Sequence, residues 1–276
     1  MCDDAIVLHA HEESRRMSRR TALRVAAGVA TGVSASAVAG VGAAGVGWTA
    51  PFHAEPRGRG TTRIVDLTHP LSPSFPVWPG NPPMVSVPTS RVGDRDSGFA
   101  TNWVSFAEHT GTHVDAPAHK IGRGITVDRI DPAHLVAPLV VISIGARAGQ
   151  DPRTRLTDRD IDGWESRNGR IPQGALVALH TGWQPRTGGA DAAGFSADAV
   201  NLLVTERGVV AIGTDTLSVD IRGEAAAHTA ILGAGRYVVE AMAALDSVPP
   251  RGATVMVGAP RFAGGSGGPA RVLAMV

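Results

Sequence analysis

The chain of 276 residues carries a single cysteine, Cys2, which excludes an intrachain disulfide and any cysteine-built zinc cluster. Any metal it holds must therefore be held by imidazole and carboxylate. Aromatic residues are scarce, at 4%. Lysine occurs once, at Lys120, and every other basic residue is arginine, a bias that reads as genomic composition. Charge of one sign is missing too: 26 Lys+Arg stand against 25 Asp+Glu, a net charge of +1. That balance removes the electrostatic case for a nucleic-acid partner. No internal repeat is visible. What the chain does have is glycine (34) and proline (19), which imply many turns, and 43% apolar residues, enough for a core and against global disorder.

The first 54 residues read as an export segment. Residues 1–17 are polar and charged; Ser18-Arg19-Arg20-Thr21-Ala22-Leu23-Arg24 follows, and residues 25–47 are a mild Ala/Gly/Val run. A basic boundary, a weakly apolar run and small residues form a signal-peptide pattern. The paired arginines resemble the twin-arginine signal. A membrane anchor is the alternative, because the run is long enough to span a bilayer, but so much glycine makes a poor membrane helix. The expectation is export to the periplasm or the exterior, with no stable membrane insertion after processing. Residues 55–276 are expected to form one domain, neutral in charge, cysteine-free and holding seven histidines: His69, His109, His113, His119, His134, His180 and His228.

Within that domain, Ile64-Val65-Asp66-Leu67 reads as a first strand, followed by an ordered proline-rich loop over residues 70–88. The apolar runs at 135–144, 175–179 and 209–212 read as strands buried on both faces. Residues 157–167 read as a helix, and Ser196 as the cap of a second, over 197–206, stopped at Gly208. Residues 253–257 and 271–275 read as late strands. Short strands outnumber helices, so the class is mixed α/β with a large sheet or barrel-like core.

The chemistry concentrates in Glu108-His109-Thr110-Gly111-Thr112-His113-Val114-Asp115-Ala116-Pro117-Ala118-His119. Gly111 and Pro117 argue against a helix interior here. On a straight strand all four chemical side chains would share a face, yet His109 and His113 would stand roughly 13 Å apart. The chain must bend, and Gly111 is where a bend is cheap. A bent loop that turns imidazoles and a carboxylate inward suits Zn²⁺ or Mn²⁺.

The string His109-x-Gly111-Thr112-His113-x-Asp115-x-Pro117-x-His119 resembles the signature of the cyclase family, which includes bacterial kynurenine formamidases and isatin hydrolases. The resemblance extends over residues 63–276. It takes in Asp66-Leu67-Thr68-His69, Val77-Trp78-Pro79-Gly80, Thr181-Gly182-Trp183 and Gly213-Thr214-Asp215-Thr216-Leu217-Ser218-Val219-Asp220. It also takes in the pair His228 and Glu240 and the closing Gly267-Gly268-Pro269-Ala270-Arg271-Val272. Phe106 and Glu108 depart from it, standing where smaller or polar residues are common, and His180 stands where relatives often carry arginine.

The resemblance implies an α/β, swivelling β/β/α cyclase-like fold: a single domain with a barrel-like central sheet and few helices. It implies one or two divalent ions per chain. His109, His113 and Asp115 would bind the first metal; Asp115, His228 and Glu240 would serve the second. His119 would be the proton donor and acceptor, and Trp78 would line the substrate pocket. It further implies a homodimer or higher homo-oligomer. The activity implied is hydrolysis of an aryl formamide such as N-formylkynurenine, or of a cyclic amide such as isatin, by a metal-activated water. The alternative is an exported, non-catalytic metal- or ligand-binding protein that keeps the fold. A serine hydrolase is rejected, since Gly264-Gly265-Ser266-Gly267-Gly268 reads as a late glycine-rich loop rather than a nucleophile elbow.

Overall fold

The structure, a computed structural model, describes residues 62–93 and 98–276; the export-type segment of residues 1–54 lies outside the described residues. Residues 63–276 form one compact unit. The strands are β1 (Ile64–Asp66), β2 (Val85–Ser90), β3 (Thr101–Ser105), β4 (His113–Asp115), β5 (Val136–Ser143), β6 (Arg155–Leu156), β7 (Leu176–His180), β8 (Gly194–Phe195), β9 (Ala211–Thr214), β10 (Tyr237–Glu240), β11 (Ala253–Gly258), β12 (Gly267–Pro269) and β13 (Arg271–Met275). Three helices of eight residues or more occur among the described residues: α1 (Asp158–Asn168), α2 (Ala197–Thr205) and α3 (Ala226–Gly233). No helix among these residues is long and apolar enough to cross a membrane.

The three apolar runs become β5, β7 and β9, which lie side by side and parallel. They sit at the centre of a nine-stranded sheet of order β1-β13-β11-β5-β7-β9-β10-β4-β12. β10 continues the parallel set, and the outer strands pair antiparallel. The sheet curls until its first strand meets its seventh: Thr68, just past β1, bridges Met242, just past β10. Leu67 stitches that seam, donating its N–H to Val272 O (2.8 Å) and accepting from Ala243 N–H (2.9 Å). The result is the barrel-like arrangement expected.

Alternation along the strands divides the interior in two. Ala137, Leu139 and Val141 of β5, Leu176 and Ala178 of β7, and Val239 of β10 face one core inside the curl. Their neighbours Val140, Ile142, Val177, Leu179 and Val238 face a second core roofed by the helices. Both faces are covered, which is why these strands read as unbroken apolar runs. Helix α1 presents Ile161 and Trp164 to the second core, and Trp164 Nε1–H reaches Val141 O at 2.9 Å. The α1 helix begins where Thr157 donates its N–H and its hydroxyl to Asp160 (2.9 Å each). Ser196 caps α2 as expected, its Oγ accepting from Ala199 N–H at 3.2 Å.

Two local readings change. The proline-rich loop ends early: Val85–Ser90 is strand β2, paired with β3 as a hairpin outside the main sheet. Pro88 is tolerated because this is a two-stranded edge, and the register shifts between Pro88 and Ser90. The glycine-rich string is no simple loop either, for Gly267–Pro269 form β12 against β4.

Candidate metal centre

Glycine at position 111 adopts a φ of +69°, the left-handed conformation that turns the chain between His109 and His113. Strand β4 then buries all three of its residues. Val114 enters the inner core, so His113 and Asp115 face the other way. On the neighbouring strand β10, Glu240 stands directly opposite His113, and Val239 opposite Val114. Pairing alone therefore brings Glu240 onto the face of His113 and Asp115. Helix α3 supplies His228 to that face. The short 3₁₀ turn Pro117–His119 folds His119 back so that its ring lies 3.8 Å from that of His109, centroid to centroid.

The hydrogen-bond accounts of the imidazoles decide what the centre presents. His113 Nδ1 lies 2.8 Å from Gly111 O, which can only accept, so Nδ1 carries a proton and, in the neutral ring, Nε2 carries the lone pair. That Nε2 is buried with no hydrogen-bond partner. It points at Asp115 Oδ1 (3.2 Å) and Glu240 Oε2 (3.5 Å). His228 Nδ1 is held by Asp220 Oδ2 at 2.7 Å, turning Nε2 toward Asp115 Oδ2 (3.2 Å) and Glu240 Oε1 (3.3 Å). His109 sets Nδ1 at 2.5 Å from Asp115 Oδ1 and Nε2 at 2.9 Å from Ser266 Oγ. Lone pairs of neutral imidazoles aimed at carboxylate oxygens repel unless a proton or a cation lies between them. The residues thus fit a divalent metal: buried, convergent, nitrogen and oxygen donors with outer hydrogen bonds fixing the rings. Two donor groups have ligand atoms within 4.8 Å of one another, His109/His113/Asp115 and Asp115/His119/His228, with Asp115 common to both.

Electrostatics carry the same message. Burial alone would push the His113 imidazole down, but Asp115 and Glu240 overcome it and hold it up at about 9. Burial is likewise outweighed at His228, which hydrogen bonds to Asp115, Asp220 and Glu240 raise well above the ordinary range. Burial would raise Asp115, yet His113 and His109 hold it well below the usual carboxylate range. The carboxylates thus hold protons on the His113 and His228 rings, protons that a metal would displace. His119 goes the other way: burial against the cluster, only partly opposed by Asp115 and reinforced by the other imidazoles, pushes it down to about 4. It is also the member most open to solvent, and it is neutral at pH 7.

Of the residues read from the sequence, His109, His113, Asp115, His119, His228 and Glu240 are brought together. Trp78 is not joined to them: it is half-buried in the loop after β1, its carbonyl accepting from Asn81 N–H at 2.9 Å. No hydrogen bond, ion pair or ring contact links it to the cluster among the described residues. Phe75 and Trp183 pack with Ala192, Ala241, Leu71 and Leu217 in a small buried apolar cluster, and Ala241 directly follows Glu240. His69 packs against it, 5.6 Å from Phe75 and 6.5 Å from Trp183 between ring centroids. Asp220 is the residue that sequence reading passed over. It accepts from Ala227 N–H (2.8 Å), His228 N–H (3.0 Å) and His228 Nδ1, tying the start of α3 to the ring that α3 carries. Its one signal was its place at the end of the Gly213–Asp220 string.

Comparison with known proteins identifies the family. Residues 65–221 match the family model Cyclase, described as "Putative cyclase". Isatin hydrolase of Roseibium aggregatum is 30% identical over 249 residues, covering 79% of this chain and 93% of that protein. Kynurenine formamidase of Salinibacter ruber is 28% identical over 214 residues, covering 76% and 96%. The solved structure of isatin hydrolase A from Ralstonia solanacearum superposes with a TM-score of 0.72 at 37% identity, covering 78% of this chain and 92% of that one. A family model spanning more than half of its length, and relatives matched over three-quarters of it, show that this chain belongs to the cyclase family.

Proposed function

We propose that this protein is a metal-dependent hydrolase of small amides, acting on C–N bonds other than peptide bonds, with an aryl formamide or a cyclic amide as its substrate class. The observation that carries the reading is the buried His113 Nε2, partnerless and aimed with His228 Nε2 at the Asp115 and Glu240 carboxylates. Relatives named isatin hydrolase and kynurenine formamidase support the choice of substrate class. His109, His113 and Asp115 hold one metal, and Asp115, His228 and Glu240 serve a second. A divalent cation there, Zn²⁺ or Mn²⁺, supplies a Lewis acid that activates water near neutral pH and polarises an amide carbonyl.

The chain's own residues do the rest. Asp220 keeps His228 turned inward, and Gly111 O does the same for His113. His119, open to solvent and neutral at pH 7, takes a proton on its ring and returns it to the leaving nitrogen. The apolar cluster of Phe75, Trp183 and Leu217, joined to the centre through Ala241 beside Glu240, and Trp78 on the loop after β1 are the groups assigned to border the flat aromatic part of such a substrate. The decisive experiment measures hydrolysis of N-formylkynurenine and isatin with Zn²⁺ or Mn²⁺ added and with a chelator. A chelator-sensitive turnover is expected; a metal-free, fully active protein would overturn the reading.

Two further parts of the proposal concern the protein's setting. It is exported by the twin-arginine route, supported by Ser18-Arg19-Arg20 and the mild apolar run after it; Arg19→Lys/Arg20→Lys should strand active protein in the cytoplasm, and unchanged export refutes this. It is a homodimer or higher oligomer, supported by the family resemblance; sedimentation as a monomer refutes this.

A further inference from the structure

Serine 266 sits in the glycine-rich string that neither the catalytic reading nor the family resemblance puts to use. Its place is set by β12, where Gly267 pairs with Asp115, and by Ala116 N–H donating to Ser266 O at 2.9 Å. Both polar hydrogens of Ser266 are spent on one carboxylate oxygen: its N–H reaches Glu108 Oε2 at 2.9 Å and its hydroxyl reaches the same atom at 2.7 Å. A hydroxyl has one proton to give. Ser266 Oγ can therefore only accept from His109 Nε2, 2.9 Å away. The chain of bonds assigns the His109 proton to Nε2 and leaves Nδ1 as the nitrogen facing Asp115.

This is the opposite tautomer from the other two imidazoles. His113 and His228 are protonated at Nδ1 by Gly111 O and Asp220 and face inward with Nε2. His109 meets Asp115 at Oδ1, the oxygen that His113 Nε2 also faces, and it does so through Nδ1, which must be free to offer its lone pair there. The glycines flanking Ser266 make the room. A Cβ on Gly267 would lie 2.6 Å from His109 Cε1, and one on Gly265 would lie 2.8 Å from Glu108 Oε1. Gly-Ser-Gly is thus a recess into which the Glu108 carboxylate and the His109 ring fit, with the hydroxyl between them.

We propose that Glu108 and Ser266 are positioning residues that lock His109 as its Nε2–H tautomer, so that Nδ1 is the atom offered to the metal. The inference rests on the metal reading above. It is tested on the full-length chain by competing bound Zn²⁺ against a chelator and by nitrogen-15 NMR of the histidine rings in the Zn²⁺-loaded protein. Wild type should show His109 bound through Nδ1 with a proton on Nε2. Ser266→Ala should weaken Zn²⁺ binding by about 10- to 100-fold, the usual loss when a ligand's outer partner is removed. Glu108→Leu frees the serine proton to point at Nε2 and should produce a loss of the same size. Glu108→Gln keeps an oxygen that accepts both serine hydrogens and should bind within a few-fold of wild type, a rescue that a role resting on the Glu108 charge would not give; a general packing role would leave the His109 tautomer seen by NMR unchanged in Glu108→Leu. Should Ser266→Ala fail to fold, the Glu108 pair alone decides. Wild-type affinity in both Ser266→Ala and Glu108→Leu, or His109 bound through Nε2, overturns this inference alone. A wild type that binds no Zn²⁺ overturns the metal reading beneath it.

Discussion

Replacing Asp220 by alanine removes three hydrogen bonds at once: those to Ala227 N–H, His228 N–H and His228 Nδ1–H. The first two serve the start of α3, where a lost side-chain cap costs about 1 kcal/mol. Because Asp220 is buried, the donors left behind are not rehydrated, which adds about 1–3 kcal/mol. For a domain of this size each kcal/mol moves Tm by about 2–4 °C, so a fall of about 5–15 °C follows, read by calorimetry on metal-free protein. The third bond acts on function. Without it the His228 ring is free to turn or to change tautomer, and metal affinity should fall by about 10- to 100-fold in a chelator competition. Asp220→Asn separates the two effects. Its amide oxygen can still accept from Ala227 N–H, while its NH₂ group, standing where Oδ2 accepted from both His228 donors, loses the His228 N–H bond and forces the ring proton onto Nε2 and against Asp115. Asparagine should therefore recover part of the lost Tm but little of the lost affinity. An Asp220→Asn protein that binds metal like wild type would show that the carboxylate does not orient the ring.

Three other outcomes are expected. His119→Ala should keep most of its metal and lose turnover by about 10²–10⁴-fold, whereas His113→Ala should lose the metal itself; steady-state kinetics with elemental analysis tests both, and an emptied site in His119→Ala would make His119 a ligand. At Asp160, burial would raise the carboxyl, but donation from Thr157 and Arg147 outweighs it and lowers the pKa. Its stabilising effect is therefore full above the unfolded value of about 3.9 and lost as pH falls through the lower folded value. The Tm gap between wild type and Asp160→Asn should close on acidification over that window, and a gap independent of pH refutes the charge-based cap.

Much of the architecture was legible because it rests on local pattern. The runs that became β5, β7 and β9 are apolar on both faces for a reason visible in the sequence, and Ser196 and Gly208 bracket α2 through chemistry confined to a few residues. The cluster from His109 to His119 was legible too: its donors crowd into eleven positions, and a strand's own length demands a bend at Gly111. Trp78 was read from resemblance to a family loop; the structure places it half-buried on the loop after β1, where no hydrogen bond, ion pair or ring contact among the described residues joins it to the cluster.

What tertiary structure alone decided is whatever depends on partners far apart in the chain. Glu240 joins His113 only through the register of β10 on β4, and His228 reaches Asp115 across 113 positions. Ser266 meets His109 across 157 positions, through a strand so rich in glycine that it reads as loop. The curl of the sheet is closed by the bridge between Thr68 and Met242 and the bond from Ala243 N–H to Leu67 O. The sequence by itself determined the donor types, the bend and the strands, since spacing and alternation act over a few residues. Which nitrogen of each imidazole faces inward was decided by the fold, since a ring's tautomer follows the partner on its far side, and those of His109 and His228, Ser266 and Asp220, arrive from other elements.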